Sequence, residues 1–285
     1  MQHSAEDIDV FQIERTLWIA EAKIGLPVYD FPFSQMMDCR HGRFGLDEVT
    51  AIGRFGAATN YDELYAGLLE QGVRLVHSPE QHALCSDLPS WYPLIEGLTP
   101  ESWWFDKAPD AKTAGELAGW PLFLKGSRQT SRHKASLSII HNEAEYETAI
   151  ASYATDHMLH WQQIVIRRFE RLRRLEADMG QKIPASFEFR SFWWHGQLAG
   201  AGPYFCEFAR YDWNAAEKQQ ALDLAAEAAR RVALPFVVID IAQKQDGSWI
   251  IIEVNDAQES GYTGVKALPM WQRMVELERD RISLA

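Results

Sequence analysis

The chain has 285 residues, 47% hydrophobic and 24% charged, with eleven Trp and a formal net charge of −12, a composition that excludes disorder and argues against general binding to a phosphate backbone while leaving room for a local basic pocket. Cys39, Cys85 and Cys206 are odd in number, widely spaced and free of any C-x-x-C pair, so neither a disulfide framework nor a zinc site is indicated. The first ten residues carry acidic side chains and no charged-then-apolar pattern, and no apolar run reaches the roughly 18 residues of a membrane span, so a cytoplasmic protein with no membrane association is expected.

Residues 61–72 place apolar side chains at helical spacing, end in Gly72 and run into the apolar stretch 73–76, a helix leading into a strand and so an α/β opening. Leu98-Thr-Pro100 and the segment ending at Lys107 break the periodicity and mark a boundary. Beyond it, residues 121–126 read as a short strand ending at Gly126, 127–134 as a polar loop, 136–140 as a second strand, and Asn142 as the cap of a helix reaching Tyr153. Residues 163–169 and 186–194 are strand candidates, the latter with Glu188, Arg190 and Phe192 on one face and Phe187, Phe189 and Ser191 on the other. An Ala-, Leu- and Glu-rich helix spans 215–232. Apolar strands 235–242 and 249–254 flank Asp246-Gly247, a strong hairpin signal. An antiparallel sheet backed by helices is an α+β plan.

The chemistry gathers on that hairpin. Asp240 lies about seven residues before the Asp-Gly turn and Glu253 about six after it, so the turn sets the two side by side, and strand parity adds Asn255 to the face of Glu253. Carboxylates in apolar strands need compensation, and three hard oxygen donors on one face suit Mg²⁺. Pairing with surface Arg or Lys is the structural alternative. No nucleophile elbow, G-x-x-x-x-G-K-[ST] loop or H-E-x-x-H motif is present.

The run from Asp240-Ile-Ala through Gly247 to Glu253-Val-Asn255 resembles the metal-binding hairpin of ATP-grasp enzymes, and the order of elements resembles that family from about residue 99 to 264. The resemblance implies two α+β subdomains sandwiching ATP, preceded by a small α/β region, with boundaries at 1–105, 106–165 and 166–285. It implies that Lys125 reaches the α- and β-phosphates and that 127–134 covers them, with Ser127 and Lys134 among its contacts. Lys107 joins the nucleotide-binding set. The backbone at Arg167, Arg168 and Phe169 would meet the adenine edge, Glu188 the ribose hydroxyls, and Arg190 the transferred phosphoryl or the substrate carboxylate. A cross-strand pairing of glutamate with arginine is the structural alternative for these two. Segment 258–264 would hold the acyl phosphate and acceptor near backbone amides.

The loop at 127–134 departs from the glycine-rich form of many members and is similar to a small clade of predicted peptide or amino-acid ligases marked by an arginine and two lysines. The activity this implies uses ATP and Mg²⁺ to join a small-molecule or peptide carboxylate to an amine, through an acyl phosphate, releasing ADP and phosphate, with Lys125 and Arg190 in catalysis. A homodimer is compatible with it and nucleic acid is not an expected partner. The alternatives are a phosphotransferase on the same nucleotide site and a noncatalytic nucleotide-binding module.

Overall fold

In a computed structural model, which describes residues 2–23, 31–42, 48–128, 134–156 and 159–284, the chain builds three sheets in succession. The first has the order β3-β1-β2-β4-β5, from β1 (Ile8–Ile13), β2 (Leu17–Ala22), β3 (Cys39–His41), β4 (Val49–Arg54) and β5 (Val73–Leu75). Its β1–β2 hairpin is antiparallel, whereas β2, β4 and β5 run parallel. A parallel pair needs a crossover, and the helix Tyr61–Glu70 supplies it between β4 and β5. Its buried Tyr61, Leu64 and Leu68 recur at helical spacing and pack on Val49, Ala51, Val73 and Leu75.

The second sheet is wholly antiparallel, in the order β6-β9-β7-β8, from β6 (Ser102–Phe105), β7 (Leu122–Gly126), β8 (Ile139–Ile140) and β9 (Ile164–Arg168). Helices Ala111–Ala118 and Glu143–Tyr153 cover one face through Ala111, Ala114, Ala118, Tyr146, Ala149 and Tyr153. Asn142 caps the second helix by accepting from Glu145 N–H, as its sequence position suggests. Two details depart from the sequence reading. Residues expected as a strand from 136 begin instead with the helical turn Ala135–Ser138, leaving only Ile139–Ile140 paired. The segment 102–105, grouped above with the front region, pairs with β9 and belongs to this sheet.

The third sheet has the order β11-β10-β12-β13, from β10 (Glu188–Trp194), β11 (Gln197–Pro203), β12 (Phe236–Gln243) and β13 (Trp249–Asp256), all antiparallel. Both central strands, β10 and β12, are buried along their whole length. On one face Trp193, Ile239, Ile241 and Val254 meet the alanine stripe Ala221, Ala225, Ala228 and Ala229 of helix Ala215–Val232. On the other, Phe192, Trp194, Phe236 and Val238 pack with Met270, Trp271 and Met274 of helix Ala267–Ser283 and with Phe11, Ile13 and Ile19 of the first sheet. A side chain at Gly202 of β11 would put its Cβ 2.3 Å from Gly264 O, so only glycine allows the segment after β13 to lie against that strand. No helix among the described residues is long and apolar enough to cross a membrane.

Candidate functional site

The register of the third sheet places three charged residues in a row across it, Arg190 opposite Asp240 and Asp240 opposite Glu253. A bulge follows Asp240, where the pairing passes from Glu253 directly to Ile251, and such bulges re-aim side chains beside functional sites. Arg190 donates from Nε to Asp240 Oδ1 at 2.9 Å and from Nη2 to Oδ2 at 2.8 Å. Its Nη1 donates to Gly261 O at 2.9 Å, and its guanidinium lies 5.0 Å from the centre of the Tyr204 ring. Burial alone would lower the pKa of Arg190, but the charge and hydrogen bonds of Asp240 outweigh it and hold the guanidinium more firmly charged than usual.

Lys125, at the end of β7 in the second sheet, reaches the same place from the opposite side. Its ammonium donates to Glu253 Oε1 at 2.5 Å although the side chain is almost wholly buried. Asn255 Nδ2 donates to Glu253 Oε2 at 3.3 Å, which gathers the three hairpin residues Asp240, Glu253 and Asn255. Two carboxylates and an amide oxygen are the hard donors a divalent cation takes, and each carboxylate is matched here by a protein cation.

Between the two sheets opens a cavity of about 980 Å³, lined by Lys125, Glu188, Asp240 and Glu253, by apolar side chains such as Phe123, Leu172, Met179 and Ile183, and by further charged residues, among them Arg174 and Lys182. Cationic and apolar side chains lining one cavity of this size suit a ligand with a polyanionic tail and a flat ring. Glu188 accepts from Ser186 Oγ at 3.1 Å. Burial first, and the nearby charge of Asp240 second, push its carboxyl up to about 8, so it is mostly protonated at neutral pH and able to donate.

The remaining sequence candidates fall in different places. Arg168 and Phe169 both line the cavity at the end of β9, and the exposed Arg168 side chain is in an ion pair with Glu101 at 2.5 Å. Arg167 borders the cavity but its guanidinium is spent on the scaffold, donating to Ser102 Oγ, Thr99 Oγ1 and Ile252 O at 3.0, 2.7 and 3.0 Å. Burial lowers it to about 10. Lys107 is exposed in the bend after β6 and Lys134 is exposed beside Lys182. Ser127 is buried, donating its N–H to Gln163 O and accepting from Leu88 N–H. None of Lys107, Ser127 and Lys134 borders the cavity. Of the covering loop 127–134, residues 129–133 lie outside the described residues.

The segment after β13 is pinned by groups the sequence reading did not single out. Arg54, at the end of β4, donates to Ala257 O at 2.6 Å and Ser260 O at 3.1 Å. Gln258 accepts from Gly53 N–H and donates to Tyr61 Oη and Asp256 Oδ2. The N–H groups of Gln258, Glu259 and Gly264 are already bonded within the protein, which narrows contact with a ligand to the amides of 260–263. Asp256, directly after Asn255, sits between His77 Nδ1 at 3.0 Å and His82 Nδ1 at 3.1 Å. Burial would raise its carboxyl, but the two imidazoles prevail and hold it well below the usual carboxylate range. His77, Cys85 and Asp256 are close enough together to hold a metal. However, His77 Nε2 accepts from Phe236 N–H at 3.2 Å, which leaves the ring proton on Nδ1, the atom a metal would need bare. The adjacency of Asp256 to the hairpin motif is the one sequence signal for this cluster, since its histidines lie more than 170 residues away.

This architecture, a nucleotide-sized cleft between two α+β units with a charged hairpin at its base, is that of the ATP-grasp fold. Residues 105–274 match the model of an ATP-grasp domain, the third family of the clade named for one arginine and two lysines, and the chain belongs to that family. Among solved structures it is similar to the D-alanine–D-alanine ligase from Coxiella burnetii, at a TM-score of 0.56 and 15% identity over 81% of this chain and 68% of that one. The D-alanine–D-alanine ligase from Bacillus anthracis gives a TM-score of 0.56 at 13% identity, covering 85% and 83%. A RimK domain protein from Sphaerobacter thermophilus gives 0.53 at 16% identity, covering 80% of each chain. At these identities the likeness is one of fold. A search of the curated proteins returns no match.

Proposed function

We propose that the protein is an ADP-forming carboxylate–amine ligase. Family membership supports an ATP-dependent ligase in general. The observation that carries the finer reading is the pairing at the cleft's base, where Lys125 meets Glu253 and Arg190 meets Asp240. Phosphoryl transfer needs positioning and charge neutralisation rather than a protein nucleophile, and these four residues supply fixed cations and anions in one place.

In this reading Asp240, Glu253 and Asn255 hold Mg²⁺, which when bound neutralises phosphate charge. Lys125 orients the polyphosphate. Arg190, kept charged by Asp240, stabilises charge developing on the transferred group. Glu188, mostly protonated, offers a hydrogen bond to a ribose hydroxyl, and Phe169 and its neighbours wall the base. The carboxylate substrate attacks the terminal phosphorus of ATP, giving an acyl phosphate and ADP. The amine then attacks the acyl carbon, the C–O bond to phosphate breaks, and an amide and phosphate leave.

An ADP-release screen with ATP, Mg²⁺ and pools of amino acids, peptides and polyamines tests the proposal. Release should require a carboxylate and an amine together. ADP formed with a phosphorylated hydroxyl and no amine requirement would make the protein a phosphotransferase instead.

A further inference from the structure

We propose that a second cavity, beside the end of β13, binds a zwitterionic amino acid or peptide terminus, with His82 Nε2 and Arg128 gripping its carboxylate. The identity of this ligand as a ligase substrate rests on the reading above, whereas its binding does not. The cavity has a volume of about 600 Å³ and lies among the first turns of helices Tyr61–Glu70 and Pro79–Ser86 and residue Arg128. That volume is within the range of small-molecule sites.

His82 is the built element. It is 5% exposed, its ring is stacked on Tyr61 at 3.9 Å and 4°, and its Nδ1 is fixed by Asp256 at 3.1 Å. Nε2, on the opposite edge of the ring, has no hydrogen-bond partner among the described residues, and the residue lines the cavity. An imidazole oriented through Nδ1 by a buried carboxylate presents Nε2 for a ligand. Burial and Arg128 oppose protonation of the ring, but Asp256 and Glu259 prevail and raise its pKa, which favours a donating Nε2–H. Arg128 also lines the cavity, and Asp87 Oδ1 lies 3.9 Å from its Nε, beyond hydrogen-bonding distance.

Two such groups lining one cavity suit a carboxylate. Asp62, Glu63 and Glu80 border the same cavity. They would repel a free phosphate and attract an ammonium, so a ligand carrying both charges fits better than either ion alone. Position supports a place in the same reaction. Arg128 lies three residues beyond Lys125 and Asp256 three beyond Glu253, the two residues in contact at 2.5 Å in the cleft. The cavity is thereby tied to the phosphate end through Arg128 in its lining and through Asp256 behind His82.

The test is a histidine-labelled NMR titration of the full chain without ATP, using an equimolar mixture of the twenty standard L-amino acids, with acetate, ethylamine and inorganic phosphate as separate controls. His82→Gln assigns the signal. The His82 resonance should shift saturably with the mixture and not with ethylamine, and Arg128→Gln, a substitution at a partly exposed position, should weaken that response by roughly tenfold. No shift at His82, an unchanged affinity in Arg128→Gln, or a response to phosphate as strong as to the mixture would each overturn the proposal. Binding without any carboxylate- and amine-dependent ADP release would leave the cavity assigned and remove the ligase reading instead.

Discussion

Lys125 Nζ lies 2.5 Å from Glu253 Oε1, so a cation at the end of β7 and a carboxylate on β13, 128 residues apart, close the base of the cleft against each other. An ion pair that bridges the two sheets ties their separation to whatever competes for either partner. A polyphosphate competes for the lysine and a divalent cation for the glutamate, so nucleotide and metal should bind more tightly together than separately.

Lys125→Met should weaken ATP binding by about 1.5–3 kcal/mol, the scale of a lost charged hydrogen bond, and leave adenosine affinity nearly unchanged. Calorimetry with both ligands decides this. Equal losses for the two would make Lys125 a purely structural residue.

Asp240→Asn keeps the shape of the side chain but removes the charge that faces the Arg190 guanidinium across two hydrogen bonds. Breaking a buried pair from one side costs about 3–5 kcal/mol, so this variant should lose stability as well as turnover. Urea denaturation should show an earlier midpoint than the wild type. A midpoint equal to the wild type's would mean the pair contributes nothing to folding.

Glu188 titrates near 8 in the folded chain against an ordinary value of 4.5, because it is buried next to Asp240. Between those two values the folded state holds more protons at this site than the unfolded state, so stability falls as pH rises through the window and levels off above it. Glu188→Gln should remove that fall. Melting temperatures of variant and wild type should differ more at about pH 9 than at about pH 5, with the variant higher at the alkaline end. Parallel pH curves would place the Glu188 carboxyl back in its ordinary range.

The hairpin carrying Asp240 and Glu253 is legible because its turn dipeptide Asp246-Gly247 is local, but the turn alone would set Asp240 opposite Ile252, and the bulge after Asp240, which no local pattern announces, brings Glu253 opposite it. Helix Ala215–Val232 is legible from its Ala, Leu and Glu content, residues that favour helix. The bidentate hold of Arg190 on Asp240 is not legible in the sequence, since it depends on the register between β10 and β12, fifty residues apart. The histidine cluster on Asp256 and the contacts of Arg54 join the front sheet to the segment after β13 across about 200 residues, beyond any local pattern. No local pattern places Lys107, whose exposed position past the edge strand β6 leaves it outside the lining of the cleft.

Arg54→Met would keep the aliphatic stem while removing the hydrogen bonds to Ala257 O and Ser260 O and the contact with the Tyr262 ring at 4.6 Å. Leaving buried carbonyls unsatisfied should destabilise the chain by about 2–4 kcal/mol. Hydrogen exchange should speed up at residues 257–264 before it does in helix 215–232. Uniform acceleration across the chain would show that Arg54 supports the whole fold rather than this segment.

The acyl-phosphate route makes a demand that neither kinase nor adenylating chemistry shares: an oxygen of the carboxylate substrate must leave in the phosphate. With a substrate pair found by the ADP screen and its carboxylate labelled with a heavy oxygen isotope, phosphorus NMR of the products should show ADP beside inorganic phosphate carrying one labelled oxygen. Label in AMP, or unlabelled phosphate, would contradict the assignment of this cleft to carboxylate–amine ligation.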